Sequence, residues 1–479
     1  MSVTAQPYTF PYAGGALSAS DTALILIDMQ VDFCGHGGYV DQMGYDISAT
    51  RAPIEPLKRV LAAARHAGVR VLHTREGHRP SLADLPANKL WRSEQIGAGI
   101  GSPGPCGRVL VRGAPGWELI DDLAPLAHED VIDKCGKGSF HATDLDMVLR
   151  TCGVTKLVLG GITTDVCVHT TMREANDRGY ECCIVADGTG ATDAGNHAAA
   201  LKMVTMQHGV FGAVAAADAV VAALEALPRA APRSGAPTWP APAPRVLAAA
   251  PPGPGGGAVA RAKPFAFAWP SARALGVLMI DWQRDFLDPE GFGASLGNDV
   301  APLRSAVPAA ARVLEAARAR GLFVAHTLEA HAADLGDCPP SKKRRCEAIG
   351  ETLDASRGRV LVRGEPGNAV VPELAPAAGE LVVHKPGKGA FYGTTLERDL
   401  RAAGVTHLVV TGVTTEVCVQ STLREANDRG FDCLLVEDAT ESYFPAFKQA
   451  TLDMVVAQGG IVGWTATAGD VAAALAAAA

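Results

Sequence analysis

KLVLGGITTDVCVHTTMREANDRGYECCIVAD, residues 156–187, reads as strand, tight turn, helix and strand in immediate succession. KLVLGGI is an apolar run of strand length, DVCVHTTMREANDRG is a helical pattern stopped by Gly179, and YECCIVAD is strand-like again. Two strands joined by a crossover helix pair in parallel. The whole stretch returns as HLVVTGVTTEVCVQSTLREANDRGFDCLLVED, residues 407–438, with Cys418 at the place of Cys167 (418 − 167 = 251). A period this long marks the duplication of an entire domain and not a solenoid unit.

Working outward, LILIDMQVDF around Asp28 answers VLMIDWQRDF around Asp281. VIDKCGKGSF around Lys134 answers VVHKPGKGAF around Lys385, and MVTMQHGVFG answers MVVAQGGIVG. ALILIDM, VRVLHT and DVIDK add further strands, while PLKRVLAAARHAG and DLDMVLRTCG add helices. The strands are apolar almost throughout, as expected of a parallel sheet covered on both faces. The expected fold is therefore α/β, with two tandem three-layer α/β/α sandwiches, Rossmann-like and mostly parallel. The domains span 1–226 and 265–479. Residues 227–264, rich in proline, alanine and glycine, read as a linker.

Composition bounds the function. The net charge of −8, with no basic run or stripe, argues against nucleic acid as a partner. No apolar run reaches the length of a membrane span and the N-terminus lacks a signal-peptide pattern, so the expected location is cytoplasmic. Eleven cysteines without paired CxxC spacing suggest neither a disulfide scaffold nor a structural zinc site.

In parallel α/β sheets ligands gather at the carboxyl ends of the strands. Asp28 ends one strand, Lys134 ends another, and Cys167 opens the helix after a third. A helix N-terminus lowers a thiol pKa, and Thr163 and Thr164 offer capping hydroxyls ahead of Cys167. An isolated cysteine there would read as core packing, Asp28 alone as a helix cap, and Lys134 alone as a surface residue. Together they make chemical sense: a carboxylate takes the thiol proton, an ammonium favours the anions, and the thiolate attacks a carbonyl. Asp281, Lys385 and Cys418 form the same set in the second copy. The GKG containing Lys137 lacks a phosphate-loop pattern and reads as a tight turn.

These motifs, DMQVDF, the Lys134 segment and GITTDVC, resemble the isochorismatase-like cysteine hydrolases, and within them the biuret- and triuret-hydrolysing branch. The resemblance covers nearly all of both repeats. It implies an Asp–Lys–Cys triad at Asp28, Lys134 and Cys167, and at Asp281, Lys385 and Cys418. It also implies a cis peptide before Thr163 and Thr414, and an oxyanion hole from the amides of Thr163 and Cys167 and of Thr414 and Cys418. Gln207 and Gln458 match a substrate-binding glutamine. The implied activity is cysteine-dependent hydrolysis of a C–N bond in a small linear amide or ureide, through an acyl-thioester or thiocarbamate, without metal or other cofactor. Ureidoacrylate, an N-carbamoyl amino acid or nicotinamide are alternative substrates, and a catalytically silent repeat serving as structural partner is a further reading. The two repeats would form an intramolecular domain pair, with further homo-oligomerisation open. The copies diverge in HTREGHRPSLADLPANKLWRS against HTLEAHAADLGDCPPSKKRRC, and Cys135 stands where the second copy has Pro386.

Overall fold

The computed structural model describes residues 1–228 and 259–477, so most of the expected linker lies outside the described residues. The chain divides into two compact units, Met1–Pro252 and Gly253–Ala479.

In the first unit the strands are β1 (Thr22–Ile27), β2 (Arg70–Glu76), β3 (Asp130–Lys134), β4 (Lys156–Ile162), β5 (Glu181–Gly190) and β6 (Ala213–Ala215). The main helices are α1 (Ile54–Ala67), α2 (Ala87–Gln95), α3 (Leu145–Thr151), α4 (His169–Asp177), α5 (Ala194–Gly209) and α6 (Ala217–Glu225). The sheet order is β3-β2-β1-β4-β5-β6, and every pairing is parallel. All six residues of central β1 are buried, which is why its sequence, TALILI, does not alternate. α1 presents Leu57, Val60, Leu61 and Ala64 to the core, and Gly68 closes it in the left-handed conformation.

The second unit repeats this plan with β7 (Leu275–Ile280), β8 (Phe323–Glu329), β9 (Leu381–Lys385), β10 (His407–Val413), β11 (Asp432–Glu441) and β12 (Trp464–Ala466), ordered β9-β8-β7-β10-β11-β12. Its principal helices are α7 (Val307–Ala319), α8 (Pro340–Arg345), α9 (Leu396–Ala402), α10 (Gln420–Asp428), α11 (Pro445–Gly460) and α12 (Ala468–Ala477). Both units are thus parallel α/β sheets flanked by helices, as the repeat predicts.

One glycine in each unit is fixed by strand packing. Gly161 has φ +115°, and a Cβ there would stand 2.1 Å from the carbonyl oxygen of Ile27. Gly412 meets Ile280 in the same way at 2.4 Å. Only glycine lets the strand that leads to the cysteine lie so close to the strand that leads to the aspartate.

Candidate active site

Because all the strands run the same way, β1, β2, β3 and β4 deliver their C-terminal residues to one edge of the sheet. Ile27 is in register with both Thr74 and Gly161, and Glu76 with Lys134. Asp28, the residue after β1, turns out of the strand with φ +53°, a conformation that Asp tolerates better than most side chains. Its Oδ1 accepts a hydrogen bond from Thr74 Oγ1 at 2.6 Å, and its Oδ2 lies 2.7 Å from Lys134 Nζ.

The Lys134 ammonium is fully buried and held from four sides. Besides Asp28 it reaches Glu76 Oε2 at 3.4 Å and donates to the carbonyls of Gly136 and Lys137 at 2.9 and 3.0 Å. The GKG turn therefore folds back over the lysine. Glu76 is clamped in turn by Lys89 of α2, whose Nζ lies 2.5 Å from its Oε1 and also donates to the carbonyl of Cys135 at 2.7 Å. Cys167 Sγ donates to Glu76 Oε2 at 3.2 Å.

The second unit builds the same cluster. Lys385 lies 2.8 Å from Asp281 and 3.9 Å from Glu329, and Lys342 lies 2.5 Å from Glu329. Cys418 Sγ reaches Glu329 at 3.5 Å. Pro386 offers Lys342 its carbonyl at 2.8 Å, as Cys135 does for Lys89. The exchange of Cys135 for Pro386 leaves the pose of the triad lysine unchanged, with Lys134 2.7 Å from Asp28 and Lys385 2.8 Å from Asp281.

Electrostatics separate the two carboxylates. Burial pushes the pKa of Asp28 above its ordinary value, and the opposing pull of Lys134 does not cancel this. Glu76 is buried as deeply, yet Lys89 and Lys134 together outweigh the burial and hold it far below the ordinary carboxylate range. Asp281 and Glu329 divide in the same sense. A carboxylate with a raised pKa is the better proton acceptor, and one clamped by two ammonium groups remains an anion. Burial also drives the Cys167 thiol well above its usual value, with Lys134 opposing and Glu76 and Asp28 adding to the rise. Lys134 stays charged because Asp28, Cys167 and Glu76 overcome its desolvation.

Oxygen and sulfur atoms of Asp28, Glu76 and Cys167 lie within 4.8 Å of one another, as do those of Asp281, Glu329 and Cys418, a spacing suited to a metal ion. The lysine ammonium already supplies the positive charge within each group.

Cys167 sits in a widened π turn, Thr164–Val168, that leads into α4, and Cys418 in the matching turn Thr415–Val419. The peptides Ile162–Thr163 and Val413–Thr414 are cis, where the resemblance implies them. The Isochorismatase domain family matches the chain twice, over residues 22–219 and 276–467. The chain belongs to the isochorismatase family.

Isochorismatase-family relatives include the ureidoacrylate amidohydrolase RutB of Stutzerimonas stutzeri, 32% identical over 238 residues, 48% of this chain and 94% of the relative. RutB of Methylorubrum extorquens is 37% identical over 177 residues, covering 36% and 71%. Among solved structures, a cysteine hydrolase from Pseudomonas syringae is 27% identical and covers 44% of this chain and 96% of its own, with a TM-score of 0.38. N-carbamoylsarcosine amidase from Thermoplasma acidophilum is 25% identical, covers 41% and 97%, and has a TM-score of 0.33.

Against this isochorismatase-family frame, each unit brings its Asp, Lys and Cys into one buried cluster. Gln207 lies at a break in α5, with φ +46°, and Gln458 at the equivalent break in α11, with φ +49°. Each of these helices packs on its cysteine turn. Gln207 makes no hydrogen bond to the triad among the described residues; it stands in the neighbouring wall.

Two expectations are corrected. Thr163 makes no side-chain capping bond, and the Thr164 hydroxyl instead meets Thr189 Oγ1 at 2.9 Å and His197 Nδ1 at 2.8 Å. The thiol, expected to be lowered by a helix N-terminus, is instead raised, because burial, with Glu76 and Asp28 adding to it, exceeds what Lys134 returns. Glu76, Glu329 and their lysine clamps were missed by sequence reasoning. The available signal was a Glu at the end of the second strand in both copies, at the offset of the aspartates (329 − 76 = 253 and 281 − 28 = 253). Gln30 of the DMQ motif explains its own presence, since its amide bonds both the N–H and the carbonyl of Glu76 at 2.7 and 3.0 Å.

Proposed function

We propose that each unit is a cysteine-dependent amidohydrolase, cleaving a C–N bond of a small linear amide of the biuret or ureido type, with Asp28, Lys134 and Cys167, and Asp281, Lys385 and Cys418, as the triads. The observation that carries this reading is a buried thiol beside two carboxylates of which only one, the aspartate, is raised toward a proton-accepting range. The name of the RutB relatives, ureidoacrylate amidohydrolase, supports the substrate class.

In the first step Asp28 takes the thiol proton as Sγ bonds to the ureido carbonyl carbon. The oxyanion receives backbone N–H groups of the turn, those of Thr163 and Cys167, while Lys134 balances the negative charge. The C–N bond breaks and the proton held by Asp28 leaves with ammonia or an amine. Water then gives a proton to Asp28 and adds to the thioester or thiocarbamate carbon. The S–C bond breaks, and the thiol recovers its proton. Gln207 and Gln458 hold the substrate amide, and no metal or cofactor takes part. Residues 227–264 join the two hydrolase domains as a linker.

Ammonia release from biuret, triuret, ureidoacrylate and nicotinamide by the wild type, Cys167→Ser and Cys418→Ser tests this. Loss of a different substrate in each variant means two working sites of divided specificity. If one substitution has no effect on any substrate, that repeat is the silent structural partner.

A further inference from the structure

Lys89 and Arg92 lie three residues apart on one face of α2, and Lys342 and Arg345 on the same face of α8. The lysines clamp Glu76 and Glu329, so the arginines stand one turn further along the wall that carries those clamps. In the first unit Arg92 Nη2 donates to the hydroxyl of Tyr39 at 3.0 Å, with both side chains buried.

The residue equivalent to Tyr39 is Phe292. Each follows a glycine, Gly38 or Gly291, at the start of a short helix, and each ring meets a phenylalanine edge to face, Phe33 at 6.1 Å and Phe286 at 6.2 Å. Phe292 also shares an apolar cluster with Cys346, the residue after Arg345. The aromatic ring is kept and the hydroxyl acceptor is lost. Nη1 and Nη2 of Arg345 are both shielded from solvent and find no hydrogen-bond partner among the described residues.

Two shielded guanidinium nitrogens without acceptors cost free energy until something accepts from both. A neutral carbonyl offers one oxygen and no counter-charge. A carboxylate offers two oxygens at the spacing of the guanidinium fork. Lys342, one turn earlier on α8, lies 2.5 Å from Glu329, and Glu329 accepts from the Cys418 thiol at 3.5 Å, so the helix that carries Arg345 is the one whose lysine reaches the second cysteine cluster.

We propose that Arg345 sets the specificity of the second site by seating a carboxylate carried by its ureide substrate, while Tyr39 engages the equivalent arginine of the first site and weakens that preference there. This rests on the reading of the second site as a cysteine amidohydrolase. The two copies then hydrolyse related ureides that differ in charge.

The test uses the full chain with Cys167→Ser, assayed on 3-ureidopropionate and on its uncharged carboxamide. The charged ureide is expected to be preferred. Arg345→Met should lower kcat/KM for it about ten- to a hundredfold, mainly through KM, while the neutral analogue changes by less than about twofold. Phe292→Tyr, which restores the acceptor of the first site, should move the ratio the same way by a smaller factor, and Arg345→Lys should recover part of the loss. Equal effects on both ureides, or no turnover of the charged one by the Cys167→Ser chain, overturns the proposal. If Cys167→Ser/Cys418→Ser still hydrolyses either compound, it is the amidohydrolase reading that fails.

Discussion

Glu76 faces Lys134 as its register partner on the adjacent parallel strand, and Glu329 faces Lys385 in the same relation. Strand register thus brings a carboxylate and an ammonium side by side beneath the cysteine before any loop is considered. The second ammonium, from Lys89 or Lys342, turns the glutamate into a permanent anion, leaving the aspartate as the group whose proton can move.

Replacing Glu76 by Gln in a Cys418→Ser chain keeps the side-chain shape and removes that charge. Glu76 raises both Asp28 and Cys167, so its loss lowers both, and the acid limb of the kcat profile should move to lower pH. We expect kcat to fall about tenfold or more, with a smaller change in KM. An unmoved acid limb in a pH series would remove Glu76 from the electrostatics of the site.

Asp28→Asn should separate thiol ionisation from turnover. The negative charge of Asp28 raises the Cys167 thiol and Lys134 lowers it, so the variant should hold more thiolate at neutral pH and react faster with iodoacetamide. Hydrolysis should nevertheless fall by about a hundredfold or more, since no group carries the proton to the leaving nitrogen. Slower alkylation together with lost activity would contradict this division of roles.

The buried glutamates also predict an acid-sensitive fold. Their folded-state pKa is depressed below the ordinary value of 4.5, so the stability they contribute is present above that value and is lost as pH falls below it. Urea midpoints measured from about pH 6 to pH 3 should fall more steeply for the wild type than for Glu76→Gln/Glu329→Gln. Parallel curves would mean that the clamps contribute no pH-dependent stability.

Gly77 and Trp117 pack as a small–large pair, answered in the second unit by Ala330 and Asn368. A Cβ on Gly77 would come within 2.4 Å of Trp117 Cδ1, and Arg75 stacks on the same indole at 3.6 Å. Gly77→Ala should cost about 1–3 kcal/mol, and Trp117→Asn in the same chain should recover part of it, seen as non-additive thermal midpoints. Strict additivity would mean that the two positions do not constrain each other.

Much of this was legible in the sequence because duplication filters it. The strands announced themselves by buried, non-alternating runs such as TALILI, and Asp28, Lys134 and Cys167 by falling at strand ends in both copies. Glu76 hid within HTRE, where a strand-end acid reads as solvated until the register with Lys134 is known. Thr163 and Thr164 looked like caps because Ser and Thr before a helix usually are, yet the π turn gives the Thr164 hydroxyl other partners. The direction of the thiol shift depends on burial beside two carboxylates from other strands, a property of the assembled edge and of no local segment.

The central claim, that Cys167 and Cys418 are the nucleophiles, is tested most directly by ammonia release from the chain carrying Cys167→Ser and Cys418→Ser together, on every substrate the wild type hydrolyses. The account predicts loss of activity on all of them, with the thermal midpoint of the chain preserved. Full activity in that double variant would contradict it.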